Sequence, residues 1–112
     1  MSDGANRILH VVGTDCANGD HEQFDRWYGD HILQLMKYPG MQAATRFRRT
    51  APHPTMPEYL CLYEFSTLDE FHNYNHSEAF QAAEADRLAG LGNYGVTNRL
   101  RLQYNRIGRW SR

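Results

Sequence analysis

The chain has 112 residues, of which 41% are hydrophobic and 22% charged, and its twelve basic and thirteen acidic side chains leave a formal charge of −1. This length fits one domain over residues 1–112, and the near-neutral charge argues against binding to nucleic acid or to an anionic membrane surface. No apolar run reaches the roughly 18 residues of a membrane-spanning helix. The polar start, Met1 to Asn6, lacks the order of a signal peptide. We therefore expect a cytoplasmic protein.

The first third of the chain predicts a strand followed by a helix. Arg7 to Thr14 is short, β-branched and mostly apolar, as is typical of a buried strand. Turn residues follow from Asp15 to Gly19, and Asp20 is a good N-cap because its carboxylate can accept free N–H groups. Between Phe24 and Met36 the apolar side chains recur with i, i+3, i+4, i+7 spacing, which predicts the best-defined helix of the chain. Pro39-Gly40 ends it.

The middle of the chain predicts two strands joined by a Pro-rich loop. Met41 to Arg49 is the first of these strands, Thr50 to Pro57 is the loop, and Glu58 to Phe65 is the second strand. This last segment is apolar on both of its faces. We therefore expect it to be covered from both sides of the sheet.

A second helical region follows, with a less regular apolar pattern. Ser66 or Thr67 can cap it, and it extends from Leu68 to about Leu88. The residues just before Ser77 predict a kink or a restart there. The Gly-rich segment from Gly90 to Gly95 predicts its end.

Val96 to Ile107 predicts the final strand and completes the order β-α-β-β-α-β. This order is that of the ferredoxin-like α+β fold, with two helices on one face of a four-stranded antiparallel sheet. The other face would remain open, although Glu58 to Phe65 is apolar on both sides. A second copy packed sheet to sheet would cover it, so we predict a homodimer.

His31 is the most informative single residue because it lies within the apolar stripe of the first helix. A polar group there needs a hydrogen-bond partner or a function. A desolvated imidazole stays neutral at pH 7 and can exchange a proton. Tyr28, three residues earlier, and Trp27 are within reach on the same helix. The alternative is a half-buried structural histidine bonded to a backbone carbonyl.

Other side chains admit weaker hypotheses. His10 on the first strand could face the same cavity as His31, between the helix and the sheet, although a structural role is the simpler interpretation. His72 and His76 have the i, i+4 spacing of two metal ligands, but without a third group a solvated helix face is favoured, and we expect no metal. Cys16 and Cys61 are too few for a disulfide scaffold, and Cys61 is interpreted as a core residue.

Arginine supplies eleven of the twelve basic residues and could bind a carboxylate or a phosphate. The arginines in question are Arg46, Arg48, Arg49, Arg99 and Arg101. Acids such as Glu58 and Glu64 could equally pair with them. Ion pairs within the fold or at a dimer contact are therefore the simpler interpretation.

Two motifs carry a resemblance to a known superfamily. The first is Phe24-x-x-Trp27-Tyr28-x-x-His31-Ile32-x-x-Leu35, followed by Pro39-Gly40-Met41 and Arg46-Phe47-Arg48. The second is Tyr63-Glu64-Phe65 followed by Phe71 and Ser77-Glu78-Ala79-Phe80. With these motifs the chain resembles the dimeric α+β barrel superfamily, and within it the EthD-like members. The resemblance implies a ferredoxin-like fold and a homodimer.

The resemblance also implies a largely apolar pocket between helices and sheet, where a few polar side chains act on a bound ring. We therefore predict a small enzyme without cofactor, of isomerase, lyase or decarboxylase, or cyclase type, acting on a hydrophobic cyclic or aromatic oxygenated metabolite. His31 would be the general acid/base, and Tyr28 would be its hydrogen-bonding partner or a donor to a developing enolate. Candidate pocket walls are Trp27, His10, Tyr63 and Phe80. The alternatives are a cofactor-independent monooxygenase and a non-catalytic dimer that binds a small ligand.

Overall fold

The computed structural model describes residues 7–16, 19–94 and 96–112; the side chains at 90–94, 96, 98 and 99 lie outside this description. The polar segment from Met1 to Asn6, part of the predicted turn before Asp20, and the side chain of Arg99 therefore lie outside the described residues.

The described chain forms a four-stranded antiparallel sheet with three helices. The elements are β1 (Ile8–Cys16), α1 (His21–Leu35), β2 (Met41–Arg48), β3 (Tyr59–Phe65), α2 (Leu68–Tyr74), α3 (Glu78–Tyr94) and β4 (Val96–Asn105). The strand order is β2-β3-β1-β4, and each neighbouring pair is antiparallel. The predicted ferredoxin-like α+β fold is thus confirmed, with the second helical region divided into α2 and α3.

Side-chain caps fix where the helices begin. The Asp20 carboxylate accepts a hydrogen bond from the backbone N–H of Gln23 at 3.2 Å, and Thr67 caps α2 in the same way. The Ser77 hydroxyl accepts from the N–H of Phe80 at 3.1 Å, at the start of α3. The break predicted near Ser77 is therefore a true restart of the helix.

Two predicted boundaries were wrong. The first strand continues through Asp15 to Cys16, because both residues pair with the beginning of β4. The second helical region extends past the predicted end at about Leu88, since α3 continues to Tyr94 and ends within the Gly-rich segment. A glycine inside a helix costs about 1 kcal/mol relative to alanine, which weakens the helix without breaking it, and α3 packs against α1 and β4.

The core lies between the helices and one face of the sheet. The buried face of β3 presents Tyr59, Cys61, Tyr63 and Phe65, and α1 contributes buried side chains such as Phe24. The interpretation of Cys61 as a core residue is confirmed, since it is 1% exposed.

The opposite face of the sheet has no helix on it among the described elements. It presents Leu60 and Leu62, which are half-buried, together with the exposed Phe47, Leu102 and Tyr104. The predicted homodimer would cover this face. Within the described residues, no helix is both long and apolar enough to cross a membrane.

Candidate active site

A cavity of about 380 Å³ lies between the helices and the sheet. Its walls are largely aromatic. All six site residues predicted from the sequence line it: His31, Tyr28, Trp27, His10, Tyr63 and Phe80. Further lining residues are Val12, Leu35, Phe71, His72, Tyr74, Asn75, Glu84, Arg87, Arg101 and Gln103. The cavity is therefore more polar than the sequence predicted, because charged side chains from α3 and β4 contribute to it.

His31 is held in the cavity wall by a carboxylate on another helix. His31 is 7% exposed, and its Nδ1 lies 3.1 Å from Oδ2 of Asp86 on α3. The imidazole stacks on the indole of Trp27 with ring centroids 5.0 Å apart. Trp27 Nε1 donates to the other oxygen of Asp86 at 3.3 Å. Among the described residues, none forms a hydrogen bond with Nε2 of His31.

Burial keeps this imidazole neutral at pH 7. Desolvation lowers the pKa of His31 below its usual 6.5, although Asp86 and Glu84 act in the opposite direction. A neutral imidazole carries one proton, and the Asp86 carboxylate, as an acceptor, favours that proton on Nδ1. The lone pair is then on Nε2, which makes this nitrogen a base without a hydrogen-bond partner among the described residues.

Tyr28 bonds to a different residue from the one predicted. Its hydroxyl lies 3.3 Å from the hydroxyl of Tyr63, whereas its ring meets His31 edge-on at 5.8 Å. The predicted hydrogen bond from Tyr28 to His31 is therefore wrong, because the phenol extends past the imidazole to β3, whereas the alternative role of Tyr28 as a donor to an enolate stays a prediction. Burial raises the pKa of both phenols, so both keep their protons at pH 7. The Arg46 guanidinium lies 4.4 Å from the Tyr28 ring centroid.

His10 lies in the cavity wall, opposite Tyr63 and Gln103 in the sheet register. Its Nδ1 is 2.9 Å from the side-chain nitrogen of Gln103, and its ring packs on Phe71 at 5.0 Å. Burial and then the charge of Arg101 lower the pKa of His10 to about 4. The imidazole of His10 is thus neutral, hydrogen-bonded to Gln103 and exposed to the cavity.

The sequence analysis missed Asp86 and the charged residues around it. Asp86 is separated from His31 by 55 residues, and in the sequence it looks like one more acid on a solvated helix face. The weak apolar periodicity of α3 gives no sign of which side faces α1. Only the packing of α3 against α1 brings this carboxylate to Trp27 and His31.

The other sequence hypotheses have simpler outcomes. His72 and His76 are both exposed and do not share a helix, because α2 ends at Tyr74. Among the described residues, no three His, Cys, Asp or Glu side chains are grouped to hold a metal. Arg48 pairs with Glu58 at 2.8 Å, and Arg46 pairs with Asp25 at 3.0 Å.

No family model matches the chain, and no curated protein matches it in sequence. Solved structures do match its fold. SnoaB, a cofactor-independent oxygenase from Streptomyces nogalater, superposes with a TM-score of 0.64 at 13% identity, covering 96% of this chain and 97% of its own. A hydroxynitrile lyase from Passiflora edulis gives 0.72 at 13% identity, with coverages of 96% and 99%.

An ethyl tert-butyl ether degradation (EthD) family protein from Bacillus halodurans also matches, with a TM-score of 0.64 at 13% identity over 90% of this chain and 98% of its own. These identities are low, so the matches establish the fold. Proteins with this fold include small enzymes, one of them an oxygenase that needs no cofactor.

Proposed function

We propose that this chain, which has the ferredoxin-like fold of the dimeric α+β barrel proteins, is a small cofactor-independent enzyme that uses His31 as a general base. The substrate is a hydrophobic cyclic or aromatic oxygenated metabolite with a weakly acidic C–H. The observation that carries the proposal is the pairing of His31 Nδ1 with Asp86 while Nε2 has no hydrogen-bond partner in the described protein.

The chemistry follows from this arrangement. Nε2 removes a proton from carbon, and the imidazolium that forms is stabilised by the carboxylate of Asp86. The aromatic cavity walls hold the ring of the substrate out of water. The hydroxyls of Tyr28 and Tyr63 lie 3.3 Å apart, and both also interact with the thiol of Cys61. In the proposed reaction one of these two O–H groups turns from its protein partner to donate to the developing enolate oxygen. Return of the proton to another atom gives isomerisation, and loss of a leaving group gives elimination.

A cofactor-independent oxygenase is the second candidate, and the fold match to SnoaB favours it. In that reaction the same deprotonation yields a carbanion, which then reacts with oxygen. Oxygen consumption during turnover separates the two candidates. A non-catalytic binding protein would be favoured by a histidine whose two nitrogens both bond to protein, which is not the arrangement of His31 among the described residues.

Proton abstraction can be tested with simple aromatic ketones. We would follow, by NMR in D₂O, exchange of the C–H groups next to the carbonyl of 2-tetralone and 1-indanone. The native protein should accelerate exchange, and His31→Gln should lower the rate by about 10²-fold or more, since it removes the base and keeps the size.

His53→Gln is the matched control, because His53 lies on the exposed loop before β3, outside the cavity. It should exchange at the native rate. Native exchange by a folded His31→Gln protein, or no acceleration by the native protein, would reject the proposal.

A further inference from the structure

The guanidinium of Arg101 lines the cavity and makes no hydrogen bond to another described residue. Arg101 on β4 pairs in register with Val12, so its side chain lies on the cavity side of the sheet. Among the described residues it forms an ion pair with Glu84, where Nη2 and Oε1 are 3.9 Å apart, which is too far for a hydrogen bond. Its side chain is 49% exposed.

Glu84 forms its close ion pair with Arg87. Three hydrogen bonds of 3.0 to 3.2 Å join the Arg87 guanidinium to the two carboxylate oxygens of Glu84. The Glu84 carboxylate is therefore paired directly with Arg87, while Arg101 lies beyond hydrogen-bond distance of it. Within the described part of the chain, Arg101 is thus a cavity-lining cation without a close carboxylate of its own.

The charge of Arg101 acts on the interior of the cavity. It lowers the pKa of His10 on β1, and at Tyr74 on α2 it opposes burial and the charge of Glu84, both of which raise the pKa. These two residues belong to different elements and both line the cavity. An anion bound beside Arg101 and His10 would therefore meet a positive charge, whereas an anion beside Tyr74 would also meet the carboxylate of Glu84.

We propose that the ligand of this cavity is an aromatic carboxylate, whose ring lies among the aromatic walls and whose carboxylate is held by Arg101. As a statement about the substrate this rests on the proposed function, whereas binding of the carboxylate needs no turnover. Arginine suits this task because its planar fork can donate two parallel hydrogen bonds to a carboxylate. The anchor at the cavity edge would also orient the ring relative to His31.

Isothermal titration with 2-naphthoate and its neutral analogue 2-naphthamide tests the anchor. The native protein should bind 2-naphthoate about tenfold more tightly than the amide, since one charge-assisted bidentate contact is lost in the amide. Arg101→Gln should weaken 2-naphthoate binding by about tenfold and leave the amide unchanged. Arg101→Lys, which keeps the charge without the fork, should give an intermediate affinity.

Arg26→Gln is the matched control, because Arg26 is an exposed cation that pairs with Glu22 on α1. It should bind both probes as the native protein does. Equal affinity for the two probes, or an unchanged affinity for 2-naphthoate in folded Arg101→Gln, would overturn the proposal. His31→Gln should lose proton exchange and still bind 2-naphthoate. Failure of the catalytic proposal and failure of the anion-binding proposal can therefore be distinguished.

Discussion

At the scale of single residues, the site depends on how the two oxygens of Asp86 are used. One accepts from Trp27 Nε1 at 3.3 Å, and the other lies 3.1 Å from His31 Nδ1. Indole can only donate, so it always requires an acceptor at this place. Imidazole can donate from either nitrogen, and the carboxylate therefore decides which nitrogen of His31 carries the proton.

Asp86→Asn should move that proton. An amide offers one acceptor and one donor group, so either Trp27 or His31 must face an N–H. Only the imidazole can adapt, by carrying its proton on Nε2 and accepting at Nδ1. The base is then absent from Nε2, and we expect ketone exchange to fall by about 10²-fold. ¹⁵N NMR of the His31 ring reports the tautomer, and a native tautomer with native exchange would contradict this account.

Buried histidines should also make stability depend on pH. The folded pKa of His10, about 4, and that of His31 both lie below the value of about 6.5 expected in the unfolded chain. Between these values the unfolded chain binds more protons, so stability is fully present above pH 6.5 and decreases as the pH falls. The groups that set these shifts besides burial are Arg101 for His10, and Asp86, Glu84 and Arg87 for His31.

We therefore expect the melting temperature of the native protein to fall between pH 7.5 and pH 5. His10→Gln should show a smaller fall over the same interval, because one of the two groups that take up protons on unfolding is gone. Thermal denaturation followed by circular dichroism measures both. An identical pH dependence in the two proteins would show that His10 makes no such contribution.

At the scale of helices and strands, the sequence predicted what local patterns determine. The stripe that begins at Phe24 and the N-cap Asp20 located α1, and the apolar run that ends at Phe65 located β3. The end of the second helical region was predicted too early, near Leu88. The glycines that follow lower helix propensity, but α3 continues to Tyr94 because it is stabilised by tertiary contacts. Asp86 could not be found, since its role comes from helix packing that one chain's periodicity does not encode.

Two glycines, one inside α1 and one just before β2, should respond in opposite ways to substitution by alanine. Gly29 lies inside α1, and an added Cβ would meet nothing within 4 Å. Gly29→Ala should therefore raise the free energy of unfolding by about 1 kcal/mol through helix propensity.

Gly40, by contrast, is buried, and an added Cβ would collide with the side chains of Tyr38 and Glu70. The Tyr38 hydroxyl donates to Glu70 at 2.6 Å, which links the end of α1 to α2. Gly40→Ala should lower the free energy of unfolding by about 1 to 3 kcal/mol. Urea denaturation of both variants checks the pair, and equal signs would contradict the packing described around Gly40.

At the scale of the whole molecule, the sheet has one covered and one open face. On the open face Leu62 is half-buried at the centre, and Leu102 and Tyr104 are 42% and 54% exposed. Exposed apolar side chains grouped in this way indicate an interaction surface.

We predict a homodimer formed by the open faces of two sheets. Stable interfaces of this kind bury about 2,000 Å² or more, and a charge at the centre would be desolvated without a partner. In sedimentation at micromolar concentration, the native protein should have twice the 13.0 kDa mass of one chain. Leu62→Arg should sediment as a monomer, because its side chain lies on the open face.

Leu33→Arg is the control for this change, since Leu33 is 66% exposed on α1, away from the sheet. It should sediment as the native protein does. Because the cavity lies on the opposite side of the sheet from Leu62, a folded Leu62→Arg monomer should still bind 2-naphthoate. A native protein that sediments only at 13.0 kDa would show that the open face is not covered by a second copy.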